Sequence, residues 1–374
     1  MSQKTPVVIA SVLKPVNDPR MLFKLAYSLR ETNKYDLNII GFSSKKTPNH
    51  ENIRFHSVFS KSRKHFTRIM VSFRMLKVLF RTRPRLIIVT TYELLPAAVL
   101  GKLLLGYRLV YDVQENYGKN VIYNNTLPKP LRKPAALFIR VCEKTAGPFV
   151  DHYLFAEKCY VQEFPQVKNY TVIENKSTWH SDSSVPVRLN PHAHIRFLIS
   201  GTITEAYGVK KALQWFLSLL GDYPNIRLHI VGHAPVPSFR NQVEALARSH
   251  QQISLNLSSV PIPHEVLRKC MQKADVMVLP YLLLPSIRDK VPTKLYEALA
   301  LGRPILISKN PIWEKMICSG PAGLGVDFSA TGKAKDVMGN FLSKVFYKTQ
   351  PESPVLWKHE KVKFIELVDR ILLP

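Results

Sequence analysis

The sequence predicts an α/β protein made of two parallel-sheet domains in tandem. Three observations carry the prediction. Apolar runs of strand length alternate with stretches of helical periodicity from Val7 to Ile173. The alternation stops in a polar, Ser- and Pro-bearing segment, residues 176–194, and restarts at Ile195. With 374 residues and 46% hydrophobic content, the chain is long enough for two cores. The expected boundaries are 1–178 for the first domain, 179–350 for the second, and 351–374 for a final segment holding an amphipathic helix over Lys358–Leu373.

In the first domain Val7–Ser11 reads as a buried strand, and a loop then enters a helix over Arg20–Thr32 with Leu22, Leu25 and Leu29 inward. Leu37–Phe42, Leu86–Val89, Leu109–Tyr111, His152–Phe155 and Thr171–Ile173 are further strands. This order places ligand loops at the C-terminal edge of a parallel sheet. No glycine-rich fingerprint follows the first strand, which disfavours a dinucleotide-binding Rossmann domain. Asp18 and Arg20 lie at the functional edge, where they either cap and charge the helix start or meet substrate. Residues 126–148 hold Pro128, Pro130, Pro134 and Pro148 with Lys129, Arg132 and Lys133, and read as a mobile loop leading into a helix.

Lys61–Arg85 carries nine Lys and Arg and no acidic residue. Phe66, Ile69, Phe73, Leu76 and Phe80 form one apolar stripe, while Arg68, Arg74, Lys77 and Arg81 share the other faces with Val71, Met75, Val78 and Leu79. A helix so basic, with apolar residues left over once a core is served, suits the plane of an anionic membrane; the bland alternative is a core-packed helix with a solvated basic rim. Charge distribution points the same way. Residues 1–180 hold 29 Lys and Arg against 12 Asp and Glu, the largest share of a net charge of +26. No aromatic-interleaved basic motif, zinc finger or RNP-like run supports nucleic acid as the anion.

The second domain restarts with a strand at Ile195–Ser200, a helix at Val209–Leu220 and a strand at Ile226–Val231. Helices at Ser238–Ser249 and His264–Lys273 precede a strand at Val276–Leu279. Gly201 and Gly208 bracket the first loop, where glycines let backbone approach a ligand. Residues 289–308 then read as loop, short helix and buried strand: Pro292 suits the first helical position, Leu295, Ala298 and Leu299 face the core, Gly302 fits a left-handed cap, and Ile305–Ile307 is the strand. Thr293, Lys294 and Glu297 fall off the apolar stripe. A helix N-terminus beside a lysine is a natural diphosphate seat, and Glu297 can accept from ribose hydroxyls; an ordinary surface helix is the other reading.

Four scattered cysteines form no metal-binding spacing and point to a reducing compartment. The N-terminal MSQKTPVVIAS lacks a signal-peptide core, and no apolar run reaches membrane-spanning length. The expected location is cytoplasmic, peripheral at the inner face of a membrane.

Pro292, Lys294, Leu295, Glu297, Ala298, Ala300, Gly302 and Pro304 follow the pattern Pro-x-Lys-Leu-x-Glu-(Ala/Tyr)-x-Ala-x-Gly-x-Pro. This segment resembles the donor-binding segment of family-4 glycosyltransferases of the GT-B fold, of the type that builds bacterial cell-surface glycans. The phrase Asp18-x-Arg20 followed by Lys24-Leu-Ala-x-Ser-Leu is similar to the opening of such enzymes. The resemblance implies two Rossmann-like domains facing across a cleft, with the C-terminal helix returning to the first domain. It implies metal-independent hexosyl transfer with retention, domain closure to exclude water, no cofactor, and a nucleotide-diphosphate sugar as donor, UDP-sugar favoured by prevalence.

Residue by residue, the resemblance assigns Glu297 to the ribose and Lys294 to the diphosphate. Asp289, separated from Glu297 by seven residues, stands where relatives have a glutamate contacting the transferred sugar. Gly201, Thr202, Gly208, Lys210, Gly232, Pro292, Thr293 and Leu295 are donor-side candidates, and Pro261 and Ile262 fall in the base-binding loop. The Gly201–Gly208 loop lacks the family's basic clamp; Lys210 and Lys211 come later. His233 is either a loop histidine or a sugar or phosphate contact. On the acceptor side are Asp18, Arg20 and Gln114, which replaces the family's Asp-x-His-Glu histidine and removes a titratable group; Glu115 follows it as a catalytic candidate. The expected partners are a nucleotide sugar, a glycan or lipid-linked acceptor and an anionic membrane surface. The rivals are a nucleotide-sugar epimerase or hydrolase, and a non-catalytic binding protein on the same fold.

Overall fold

A computed structural model describes residues 4–42, 50–59, 70–123, 127–180, 186–318, 320–348 and 353–373. The chain forms two compact units, one of Met1–Thr178 with Trp357–Pro374 and one of Trp179–Leu356.

The first unit holds seven strands, β1 (Thr5–Pro15), β2 (Tyr35–Phe42), β3 (Ile53–Phe59), β4 (Leu86–Val89), β5 (Arg108–Val113), β6 (His152–Phe155) and β7 (Tyr170–Val172). They pair in parallel in the order β3-β2-β1-β4-β5-β6-β7. Side chains alternate across the sheet: Val7 and Ile9 enter one core, Val8 and Ala10 the other. The helices are α1 (Tyr27–Arg30), which continues a π-helical stretch over Pro19–Ala26, α2 (Val71–Thr82), α3 (Leu95–Leu105), α4 (Tyr117–Tyr123), α5 (Lys129–Ala146) and α6 (Tyr160–Glu163).

One expectation is corrected here, and one choice that the sequence leaves open is settled. Residues 129–146 are helix α5, not a loop. Pro128 caps it and Pro130 sits in its first turn, where the missing N–H costs nothing; only Pro134 lies deeper. In α2 the face turned inward is Val71, Met75 and Leu79, while Phe73 and Phe80 face solvent at 63% and 48% exposure. The Phe73–Phe80 stripe loses the contest for the core because the smaller residues fit against α3 and the sheet. Phe66, Arg68 and Ile69 lie outside the described residues.

The second unit opens with β8 (Val187–Arg188), inside the segment read as a linker, and continues with β9 (Ile195–Thr202), β10 (Ile226–His233), β11 (Ile253–Ser258), β12 (Val276–Leu279), β13 (Ile305–Ser308), β14 (Gly323–Val326) and β15 (Val345–Phe346). Six form a parallel sheet in the order β11-β10-β9-β12-β13-β14, and β8 pairs antiparallel with β15. Helices α7 (Val209–Leu217), α8 (Pro237–Ala247), α9 (His264–Lys273), α10 (Thr293–Ala300), α11 (Pro311–Cys318) and α12 (Ala334–Leu342) cover it. Ala298 and Leu295 are buried in this core, as are Trp215 and Trp313. Gly302 takes φ +60° just after α10, the left-handed cap its position calls for.

The last helix, α13 (Trp357–Leu372), packs on the first unit as the sequence predicts. Trp357 donates through Nε1 to Ser28 Oγ over 3.0 Å, and Phe364, Leu367 and Val368 join the core beneath β1 and β2. Glu360, fully buried, accepts from Lys176 Nζ at 2.7 Å and from the Glu174 backbone N–H at 3.1 Å. Burial alone raises a carboxylate pKa; the ammonium groups of Lys176 and Lys363 outweigh it and hold Glu360 below its ordinary value.

Candidate donor site at the start of helix α10

In the second unit's sheet, β9 connects outward to β10 on one side and is flanked by β12 on the other, so the order reverses between β9 and β12. Ligands of open α/β sheets bind beyond the strand ends at such a reversal. Gly201, next to last in β9, takes φ +120° and stands opposite Gly232 of β10. A Cβ on Gly232 would lie 1.9 Å from the Gly201 carbonyl oxygen, so the two strand ends approach as closely as backbone allows. Gly208, at φ +67°, begins α7 against the Pro280 carbonyl, which a Cβ would meet at 1.8 Å. The loop after β9 is thereby pinned to the loop after β12, which leads into α10.

Pro292 is the N-cap of α10 and Thr293 its first residue, one position later than the sequence predicts. Lys294 in the first turn donates to Glu297 Oε2 over 2.6 Å. Glu297 Oε1 lies 3.1 Å from His264 Nε2, the first residue of α9. A carboxylate only accepts, so His264 carries its proton on Nε2 here. Trp179 covers the group: its ring stacks on His264 at a centroid distance of 4.5 Å and an angle of 32°, and Lys294 Nζ lies 5.9 Å from its centroid. Lys294 Cε would be 3.7 Å from a Cβ on Gly201, so the lysine runs alongside the end of β9.

Although a helical wheel sets Glu297 off the apolar stripe, it is only 3% exposed, because α9 and Trp179 cover that face of the helix. Burial pushes its pKa up, but the Lys294 ammonium and the His264 donor outweigh this and hold it at about 2. The result is an ionised carboxylate and an ammonium at a helix N-terminus beside a glycine-lined strand end. That set can accept hydroxyls and take a phosphate.

Other donor-side candidates are distributed around this group. Leu295 is fully buried and anchors α10; Thr202 is exposed at the end of β9. Pro261 is exposed and Ile262 partly buried in the loop before α9, and His233 Nε2 lies 3.1 Å from the Ser259 carbonyl oxygen. Lys210 turns toward α8, donating to Gln242 over 3.1 Å, and Lys211 donates to Ser329 over 3.0 Å; neither joins Lys294. Asp289 is exposed, and its ion pair among the described residues is with the adjacent Arg288 at 3.6 Å.

In the first unit, Asp18 caps the helical start, accepting from the N–H groups of Arg20 and Met21 at 3.0 and 3.1 Å. Arg20, 3% exposed, makes a two-pronged pair with fully buried Asp112 and donates to the Ile173 carbonyl over 3.0 Å. Gln114 donates to the same Asp112 over 2.8 Å. Glu115, partly exposed, accepts from Asn120 at 2.8 Å. Arg74, Lys77 and Arg81 are exposed on α2; Arg68 lies outside the described residues. Among the described residues no three His, Cys, Asp or Glu side chains are grouped so as to hold a metal ion.

Sequence reasoning placed neither His264 nor Trp179 in the site. His264 opens a helix and Trp179 follows a polar stretch, positions that show no relation to Glu297 until the units fold.

Residues 184–344 match the family model described as glycosyl transferases group 1. No curated protein matches the chain. Among solved structures, a glycosyltransferase from Rickettsia africae superposes with a TM-score of 0.67 over 99% of each chain at 13% identity. Anabaena HepE in complex with UDP and glucose gives 0.66 over 99% of each chain at 12% identity. UDP-N-acetylglucosamine 2-epimerase from Methanocaldococcus jannaschii gives 0.59 over 98% of this chain and 100% of its own, also at 12%. The shared property is the fold, GT-B.

Proposed function

We propose that this chain is a retaining, metal-independent glycosyltransferase that moves a hexosyl group from a nucleotide-diphosphate sugar to a membrane-associated or cell-surface glycan acceptor. The observation that carries this reading is the pairing of Lys294 with the buried Glu297 carboxylate at the first turn of α10, beside the strand reversal of the second unit. Lys294 and the helix N-terminus receive the diphosphate and stabilise the charge that builds on it as the glycosidic bond breaks. Glu297 receives the ribose hydroxyls, and Asp289, on the loop before the helix, is the candidate for the transferred sugar. The match of residues 184–344 to glycosyl transferases group 1 supports the reaction class. The UDP and glucose bound by the Anabaena neighbour support a UDP-sugar as donor.

The membrane side of the reading rests on the first unit. No helix among the described residues is long and apolar enough to cross a bilayer. Helices α2, α3 and α5 lie on one face of the sheet, α3 beside both of the others, and each turns large apolar groups outward: Phe73 and Phe80, Leu103 and Leu104, Leu137 and Phe138. Exposed Arg74, Lys77, Arg81, Lys133, Arg140 and Lys144 accompany them. Apolar groups with surrounding cations suit an anionic lipid surface, which keeps a lipid-linked acceptor close at hand.

The test is incubation with labelled UDP-sugars, with and without lipid-linked glycan acceptors in anionic vesicles. Acceptor-dependent sugar transfer with UDP release is the expected outcome. Epimer formed without acceptor would assign the site to the chemistry of the Methanocaldococcus neighbour, and no nucleotide binding at millimolar concentration would leave a non-catalytic binding protein.

A further inference from the structure

We infer that His264, braced by Trp179, is a positioning residue that keeps the Glu297 carboxylate charged and aimed when a bound diphosphate draws Lys294 away from it. The inference rests on the reading of α10 as the donor site and concerns what happens to that site on binding.

Among the described residues Glu297 has two side-chain donors, one on each carboxylate oxygen: Lys294 on Oε2 at 2.6 Å and His264 on Oε1 at 3.1 Å. A diphosphate competes for the ammonium, and its charge exceeds that of one carboxylate. Once Lys294 turns to it, a carboxylate as buried as Glu297 would be left with the penalty of burial and one donor fewer. His264 supplies the remaining donor from a different helix, so it does not move with Lys294. The Trp179 ring, stacked at 4.5 Å, limits rotation of the imidazole, and its π-face lies within reach of the lysine's ammonium. Glu297 can then accept from a nucleoside's ribose hydroxyls in a fixed orientation.

The experiment is calorimetric binding of UDP and of 2′-deoxy-UDP to the full chain, with donor kinetics alongside. The parent should prefer UDP by about tenfold, the worth of one charge-assisted hydrogen bond. His264→Ala should bring that preference close to one and raise the donor KM about tenfold, with kcat little changed, because the contact is remote from the reacting bond. His264→Gln, which can offer an N–H at similar reach, should restore most of the preference, and Trp179→Leu should lose part of it. A parent-like preference in His264→Ala overturns the inference while leaving the donor reading intact. Equal failure of His264→Gln and His264→Ala also overturns it, since a merely structural histidine behaves that way. A parent that binds no UDP sinks the donor reading, and this inference with it.

Discussion

Arg20 and Asp112, 92 residues apart in the chain, meet inside the first unit through Nε–Oδ2 and Nη2–Oδ1 contacts of 2.9 and 2.7 Å. Both side chains are shut off from solvent. Burial opposes the charge on the guanidinium, but the carboxylate beside it outweighs that and holds the Arg20 pKa above its ordinary value. The pair ties the stretch after β1 to the end of β5, and the Ile173 carbonyl adds the chain beyond β7. Arg20→Ala leaves Asp112 charged and buried, and should cost about 3–5 kcal/mol in urea unfolding of the full chain. UDP affinity, which the proposed donor site would place in the second unit, should be unchanged.

Lys294→Met removes the cation at the α10 N-terminus while keeping its aliphatic stem. Turnover should fall about 10²–10³-fold if the lysine stabilises the leaving diphosphate. Steady-state kinetics on the donor decide this, and a kcat within threefold of the parent would contradict the role.

Glu297 has a folded pKa of about 2, well below its ordinary value. A depressed carboxylate contributes stability above its unfolded pKa, near 4.3, and that contribution is lost as pH falls toward 2. No acid limb in donor affinity above about pH 5 should therefore arise from this group. Glu297→Gln keeps the shape without the charge and should weaken UDP binding about 10–100-fold by calorimetry, as expected for losing hydrogen bonds to a charged acceptor.

Glu143 on α5 runs the opposite way. It is largely enclosed and accepts from Tyr111 Oη at 2.9 Å. Burial raises its pKa to about 7 despite Tyr111 and Arg140, which act to lower it. A raised carboxylate contributes stability below its unfolded pKa, and that contribution fades as pH climbs through 7. Thermal unfolding should show Glu143→Gln gaining Tm over the parent at pH 8 and not at pH 5.

The outward faces of α2 and α5 can be separated from catalysis. Phe73→Ser with Phe138→Ser, or Gln at Arg74, Lys77 and Arg81 together, should release the protein from anionic vesicles in a sedimentation assay. Equal sedimentation of variant and parent would refute the membrane surface.

What was legible in the chain follows the physics of each position. β4, β6, β12 and α9 have the bounds that periodicity predicts, because each is a short central strand of apolar residues or a clean amphipathic helix. The edge strands β3 and β11 escaped notice: IRFHSVF and ISLNLS mix polar residues into faces only half covered. The two apolar stripes of α2 cannot be ranked by periodicity, since both have helical spacing and packing decides which turns inward. The Lys294–Glu297 spacing was visible as a local pattern. The partners of Glu297 on α9 and at Trp179, like the Asp112 partner of Arg20, are set by contacts across tens of residues, and sequence distance conceals them.

Because α13 belongs to the same unit as residues 1–178, the second unit is a guest inserted into a host whose two ends meet again. Loss of the last eighteen residues would strip Trp357, Phe364, Leu367 and buried Glu360 from the host, not the guest. A stop codon near residue 356 should thus damage the half of the protein farthest from it in sequence. The guest, whose boundaries are adjacent positions in the host, is the piece to express alone.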